Sequence, residues 1–271
     1  MLPCEPIHTA RFALLATAPS TADEVDPESP RDSATIEEVF VTPDTKVTEQ
    51  ERQSVTRQII SQLCVLFRQD PSAFLREAEL HSRLSSLLAS QPSFTVETDD
   101  GPLPLVHQEY PTPFKCQMGD LRFEVLEDSA RGKRGHYELV VLNPWWVGKA
   151  PPEAISNSNF AHFRQEIRDR AQPQDPPLCL VGIEIYLLRA ERPRLADYSR
   201  IGQDYRKLLL SGTLANGWRF MDHRYMLVFS QHSQPHEAKW RQLVETSWQE
   251  DVDPGNVWLL WTSPQGSRSS G

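Results

Sequence analysis

Apolar residues follow a helical rhythm early in the chain and a strand rhythm later. Val55, Ile59, Ile60, Leu63, Leu66 and Phe67 recur every three or four positions, which predicts an amphipathic helix. Thr48 with Glu51 three residues on gives that helix a capping-box start. Asp70-Pro71-Ser72 then breaks the chain and restarts it. Phe74, Leu80, Leu84, Leu87 and Leu88 form the stripe of a second helix over about 72–90, with Glu77 and Glu79 near its beginning.

After this the period shortens to two. Residues 105–110 read as a first strand, and Leu121, Phe123 and Val125 alternate against Arg122 and Glu124 in a half-exposed second. Residues 128–135 form a turn into the strand His136-Tyr137-Glu138-Leu139-Val140-Val141-Leu142-Asn143. A loop with Trp145 and Trp146 and a short polar helix over 159–170 lead to the apolar strand Leu180–Leu188. A helix over 195–210 follows. The chain then reads strand (225–230), helix (237–248) and strand (257–262). This order predicts an α/β fold, a central mixed sheet flanked by helices.

Composition changes the picture mainly at the ends. Residues 1–46 are rich in Pro, Ser, Thr, Asp and Glu, with almost no apolar anchor from Ala18 to Ser33, so a disordered tail is expected. A ragged tail over 264–271 is expected too, which leaves one globular domain over 47–263. Net charge is -9, which argues against a generic nucleic-acid binder. Arg131, Lys133 and Arg134 form a dense basic cluster that leaves a local nucleic-acid contact open. The four cysteines are scattered without a Cys-x-x-Cys pair, so reduced thiols in a cytoplasmic protein are expected rather than zinc. No apolar stretch approaches the ~20 residues of a membrane span, and no Gly-rich phosphate loop follows a strand.

Glu184 is the residue that bears on function. It stands in the apolar strand Leu180-Val181-Gly182-Ile183-Glu184-Ile185-Tyr186-Leu187-Leu188, where an unpaired buried charge is costly. Such an acid faces water or a cation. Glu138 repeats the arrangement in the preceding apolar strand. Acids on adjacent strands can converge on one hard cation such as Mg²⁺, which takes carboxylate oxygens.

The order of these motifs resembles the PD-(D/E)xK, or restriction-endonuclease-like, superfamily. Glu-Ala-Glu-Leu-His-Ser-Arg-Leu at 77–84 is similar to the helix that opens that core, and Glu109-Tyr110-Pro111 ends its first strand. His-Tyr-Glu-Leu-Val-Val-Leu-Asn is similar to the family's acidic strand, with Glu138 in place of Asp. Gly-Ile-Glu-Ile-Tyr is similar to its "I-E-x-K" strand, and Gln203-Asp204-Tyr205-Arg206-Lys207-Leu208 to the helix after it. The resemblance covers about residues 72–262. It implies a metal set of Glu77, Glu109, Glu138 and Glu184, with Glu138, Glu184, Gln203 and Lys207 as catalytic candidates and Mg²⁺ as cofactor if the site is active.

The family pattern is broken at Tyr186, which stands where the lysine would be. A phenol with a pKa near ~10 brings no positive charge. Lys207 lies one helical turn after Gln203 and could supply that charge as a migrated lysine. Three readings follow: a nuclease-fold module with a silent or weakened site, an active Mg²⁺-dependent phosphodiesterase, and a protein-binding accessory factor unrelated to nucleic acid.

Overall fold

A computed structural model describes residues 47–98, 101–119, 122–126, 133–147, 171–214, 217–232, 236–247 and 256–264. The tail expected over 1–46, all but the first residue of the tail expected over 264–271, the polar helix expected over 159–170, and Arg131 lie outside the described residues, as do the side chains of Lys133 and Arg134.

Helix α1 (Glu49–Gln69) starts where its cap predicts. Thr48 Oγ1 accepts from the Glu51 amide at 3.1 Å, and the Thr48 amide donates to Glu51 Oε2 at 2.6 Å. The second helix begins later than the apolar stripe predicts. Asp70 Oδ1 accepts from the Ser72 amide at 3.1 Å and holds Pro71–Ala73 in a 3-10 turn. Helix α2 (Glu77–Ala89) therefore starts at Glu77, where Glu79 reaches back to the amides of Leu75 and Arg76 at 2.6 and 3.2 Å.

A small antiparallel hairpin, β1 (Thr95–Thr98) and β2 (Gly101–Pro104), follows without a warning in the apolar pattern. The central sheet then forms from β3 (Val106–Gly119), β4 (Arg122–Leu126) and β5 (Lys133–Leu142). The loop expected after β5 opens with a short helix, α3 (Pro144–Val147). Asn143 Oδ1 accepts from the Trp145 amide at 3.0 Å, and Trp146 is buried with its indole N–H on the Pro176 carbonyl at 2.9 Å. Next come β6 (Cys179–Leu188), α4 (Leu195–Leu210), β7 (Met221–Ser230), α5 (His236–Ser247) and β8 (Val257–Thr262).

The six strands run in the order β4-β3-β5-β6-β7-β8. β4, β3, β5 and β6 pair antiparallel, while β6, β7 and β8 are parallel, joined through α4 and α5. The fold is thus α/β with a mixed central sheet. Every residue of β6 is buried, as a strand covered on both faces should be. Phe229 of β7 stacks on Phe67 of α1 with ring centroids 5.0 Å apart, whereas Arg224 of β7 points to α4. Helices α1 and α4 therefore lie on opposite faces.

Arg224 fixes the end of α4. Its buried guanidinium donates through Nη1 to the carbonyls of Leu208 and Leu209 at 3.0 and 2.9 Å, taking up acceptors that a helix end leaves open. Gly212 lets the guanidinium come this close, since a Cβ there would stand 2.6 Å from Nη1. Gly212→Ala is expected to push the guanidinium off those carbonyls and cost about 2 kcal/mol in urea unfolding. An unchanged midpoint would show that Arg224 does not hold the helix end.

Candidate functional site

The site forms where β5 and β6 part. Their ladder ends at the pair Leu139 and Ile183, but β6 continues to Leu188. Backbone amides beyond that point need other acceptors, because an unpaired buried N–H is costly. Carboxylates supply them. The Ile185 amide donates to Glu138 Oε2 at 2.7 Å, and the Leu187 amide donates to Glu77 Oε2 at 3.1 Å. On the β5 side, His81 Nε2 donates to the Glu138 carbonyl at 2.8 Å.

Glu184 is 2% exposed and points toward α4. Its cation is Lys207, whose Nζ lies 2.8 Å from Glu184 Oε1. The same Nζ is 3.0 Å from Asp204 Oδ1 and donates to the His136 carbonyl at 2.8 Å. The His136 carbonyl and Asp204 accept hydrogen bonds from it, while Glu184 faces it as an ion-pair partner. Asp204 and Lys207 meet because they are three residues apart on one helix face.

Tyr186 shares a strand face with Glu184, as the period of two requires. Its hydroxyl donates to Asp197 Oδ1 at 3.4 Å, in the first turn of α4. The position that resembles a strand lysine thus carries a phenol tied to an aspartate. Positive charge reaches Glu184 from the helix instead.

Acids outnumber cations in this cluster, and their proton affinities reflect it. Burial pushes the Glu138 carboxyl up to about 10, with the charges of Glu184, Glu77 and Asp204 adding to the shift and the Ile185 amide opposing it. Burial pushes Glu184 up to about 8 against the pull of the Lys207 ammonium. Burial works against the charge on Lys207, but Glu184 and Asp204 outweigh it and raise its pKa. Burial raises Glu77 as well, against the Leu187 amide. Around neutral pH Glu138 therefore holds a proton while Lys207 stays charged.

The structure brings Glu77, Glu138, Glu184 and Lys207 together. Glu109 is exposed, with φ of +51°, and lies opposite Glu138 between the pairs Gln108–Leu139 and Tyr110–Tyr137. A left-handed φ at a non-glycine residue within a strand is strained. The Glu109 charge still contributes to raising Glu184. Gln203 Nε2 donates to Ser199 Oγ at 3.4 Å. Asp204, Asp197 and His81 are the participants that sequence reasoning missed. For Asp204 the signal was present in its spacing of three from Lys207.

Among the described residues no three His, Cys, Asp or Glu side chains meet as a metal site would require. One oxygen each of Glu77 and Glu138 is already committed to a backbone amide. In this arrangement the four acids expected to hold Mg²⁺ do not fit it. No helix among the described residues is long and apolar enough to cross a membrane. No family model matches the chain, and no curated protein or solved structure is similar to it.

Proposed function

We propose that this chain is a divergent restriction-endonuclease-like module whose phosphodiester-cleaving site persists in outline but is silent or slow. The observation that carries this reading is the buried Lys207 ammonium beside Glu184. It supports the family likeness because a lysine charge sits 2.8 Å from the second strand acid, although it comes from α4 and not from β6. It supports silence because that charge is buried, paired with Glu184 and hydrogen-bonded to Asp204 and the His136 carbonyl rather than presented to a phosphate.

The element order supports the same reading. An acid-bearing helix, three antiparallel strands with Glu109, Glu138 and Glu184, the Lys207 helix and a parallel strand follow one another as the resembled motifs do. A module of this kind acts by contact, with nucleic acid or a protein as partner.

The test is cleavage of DNA and RNA in the presence of Mg²⁺ or Mn²⁺. Wild-type protein is expected to cleave neither, since losing one charge-stabilising donor typically costs ~10²–10³ in rate. Tyr186→Lys restores a charge on the strand face shared with Glu184, and a gain of metal-dependent cleavage would support a decayed site in an intact frame. Robust cleavage by wild type that Lys207→Ala abolishes would replace this reading with the active phosphodiesterase.

A further inference from the structure

The C-terminal end of β6 gathers exposed arginines from separate stretches of the chain. Arg189 follows β6, and its Nη1 donates to the Leu75 carbonyl at 3.2 Å, which brings Leu75 and Arg76 beside it. Arg194 precedes α4, and its amide donates to Asp197 Oδ2 at 2.8 Å. The other oxygen of Asp197 accepts from Tyr186 of β6, so the first turn of α4 lies against the same strand end. Arg192 stands in the loop between, and Arg200 is one helical turn beyond Asp197. His232 Nε2 donates to the Arg189 carbonyl at 2.8 Å and holds the start of that loop. All five arginines are exposed.

Acids stand among them but are turned to the backbone. Glu77, Glu79 and Asp197 each accept from a main-chain amide. Among the described residues none of Arg76, Arg189, Arg192 and Arg200 pairs with a carboxylate, and Arg194 lies 4.0 Å from Asp197. Leu75 and Leu195 lie in the same patch and are 64% and 56% exposed. Guanidiniums beside exposed apolar side chains form an interaction face, and its charge calls for an anionic occupant.

The chain carries that complement itself. Asp23, Glu24, Asp26, Glu28 and Asp32 fall within one short stretch, with Arg31 as its only base and Val25 between two of the acids. The described structure begins at Val47, at the start of α1. The patch is at the other end of α1, since Phe74 packs on Phe67 with ring centroids 5.7 Å apart. The 21 residues of α1 span ~31 Å. The chain from Asp32 to Val47 reaches up to ~50 Å when extended, so the whole acidic stretch can arrive there.

We propose that residues 23–32 dock in cis on this arginine face, with their carboxylates against the guanidiniums and Val25 against the exposed leucines. Tethering supplies a local concentration on the order of millimolar, so a weak contact is enough to keep the face occupied. Docked there, the segment competes with any other polyanion for the end of β6. The docking does not depend on the restriction-endonuclease-like reading.

Trypsin tests this on the full chain, because Arg31 lies inside the acidic stretch and Arg11 lies before it. The ratio of cleavage at Arg31 to cleavage at Arg11, read by mass spectrometry, cancels changes in the protease. In wild type at low salt this ratio is expected to be about fivefold lower than in Arg192→Glu/Arg200→Glu, which leaves the tail sequence intact. Salt at about 0.5 M should raise the wild-type ratio toward that of the variant by screening. Asp26→Lys should raise it as well, and it alters no residue of the described fold, so lost docking is separated from lost structure. Equal ratios in wild type and both variants overturn the docking. They do so even if a single-stranded oligonucleotide binds wild type and not the arginine variant, a result that would give the face to nucleic acid. Protection that fades on dilution of the protein overturns the assignment in cis and gives the segment to a second copy of the chain.

Discussion

Lys207→Met is expected to destabilise the protein by about 3–5 kcal/mol at about pH 10, where Glu184 is ionised in the wild type, the cost of breaking a buried ion pair from one side. The substitution strands Glu184, which is 2% exposed and has Lys207 as its one ion-pair partner among the described residues. It also leaves the His136 carbonyl without its donor. Glu184→Gln should cost less. Lys207 would keep the Asp204 carboxylate and the His136 carbonyl, and the glutamine can still accept from the ammonium. The double variant, with no charge left to strand at position 184, should recover part of the Lys207→Met loss. Urea unfolding of the three proteins measures this. An equal loss in both single variants would mean that the pair is not coupled in the way its geometry indicates.

The second large effect is on pH dependence, and its direction is unusual for carboxylates. Acids held below their ordinary values stabilise a fold as pH rises. Glu138 and Glu184 are raised, to about 10 and about 8 from the ordinary 4.5. Between the unfolded and folded values the folded protein holds protons that the unfolded chain has released. Their contribution is full below about pH 4.5 and is lost as pH rises through about 8 and then about 10. At its steepest the loss approaches ~1 kcal/mol per pH unit for each group. Melting temperature should therefore fall steadily from about pH 6 to about pH 10. Glu184→Gln should flatten the slope only below about pH 8, whereas Glu138→Gln should flatten it throughout and remove the part between about pH 8 and about pH 10. The same slope in wild type and both variants would assign the protons to other groups.

The sequence made the frame of the site legible because its two strands carry one acid each in an otherwise apolar run. A buried strand acid demands a cation, and Lys207 on the next helix was the nearest candidate by period and order. Asp204 was not legible in the same way. Gln203 and Asp204 both stand within a turn of Lys207, and which of them is turned with it toward Glu184 depends on the rotation of α4 against β6. The Arg224 contact with the end of α4 bears on that rotation, and it joins residues fifteen and sixteen positions apart. The hairpin of β1 and β2 escaped notice for a different reason. It holds Thr95, Glu97, Thr98, Pro102 and Pro104, which offer no apolar alternation. The left-handed φ of Glu109 was also beyond reach, since no glycine or asparagine stands there to signal it.

The way β6 ends has a bearing on solubility. An apolar central strand that outruns its neighbour would normally offer its free amides to any extended chain that met it, including another molecule of the same protein. Here the amides of Ile185 and Leu187 are occupied by the carboxyl groups of Glu138 and Glu77. An incoming strand would have to displace two side chains before it could make its first hydrogen bond. These two acids protect the protein against association through β6, whatever chemistry the neighbouring lysine performs.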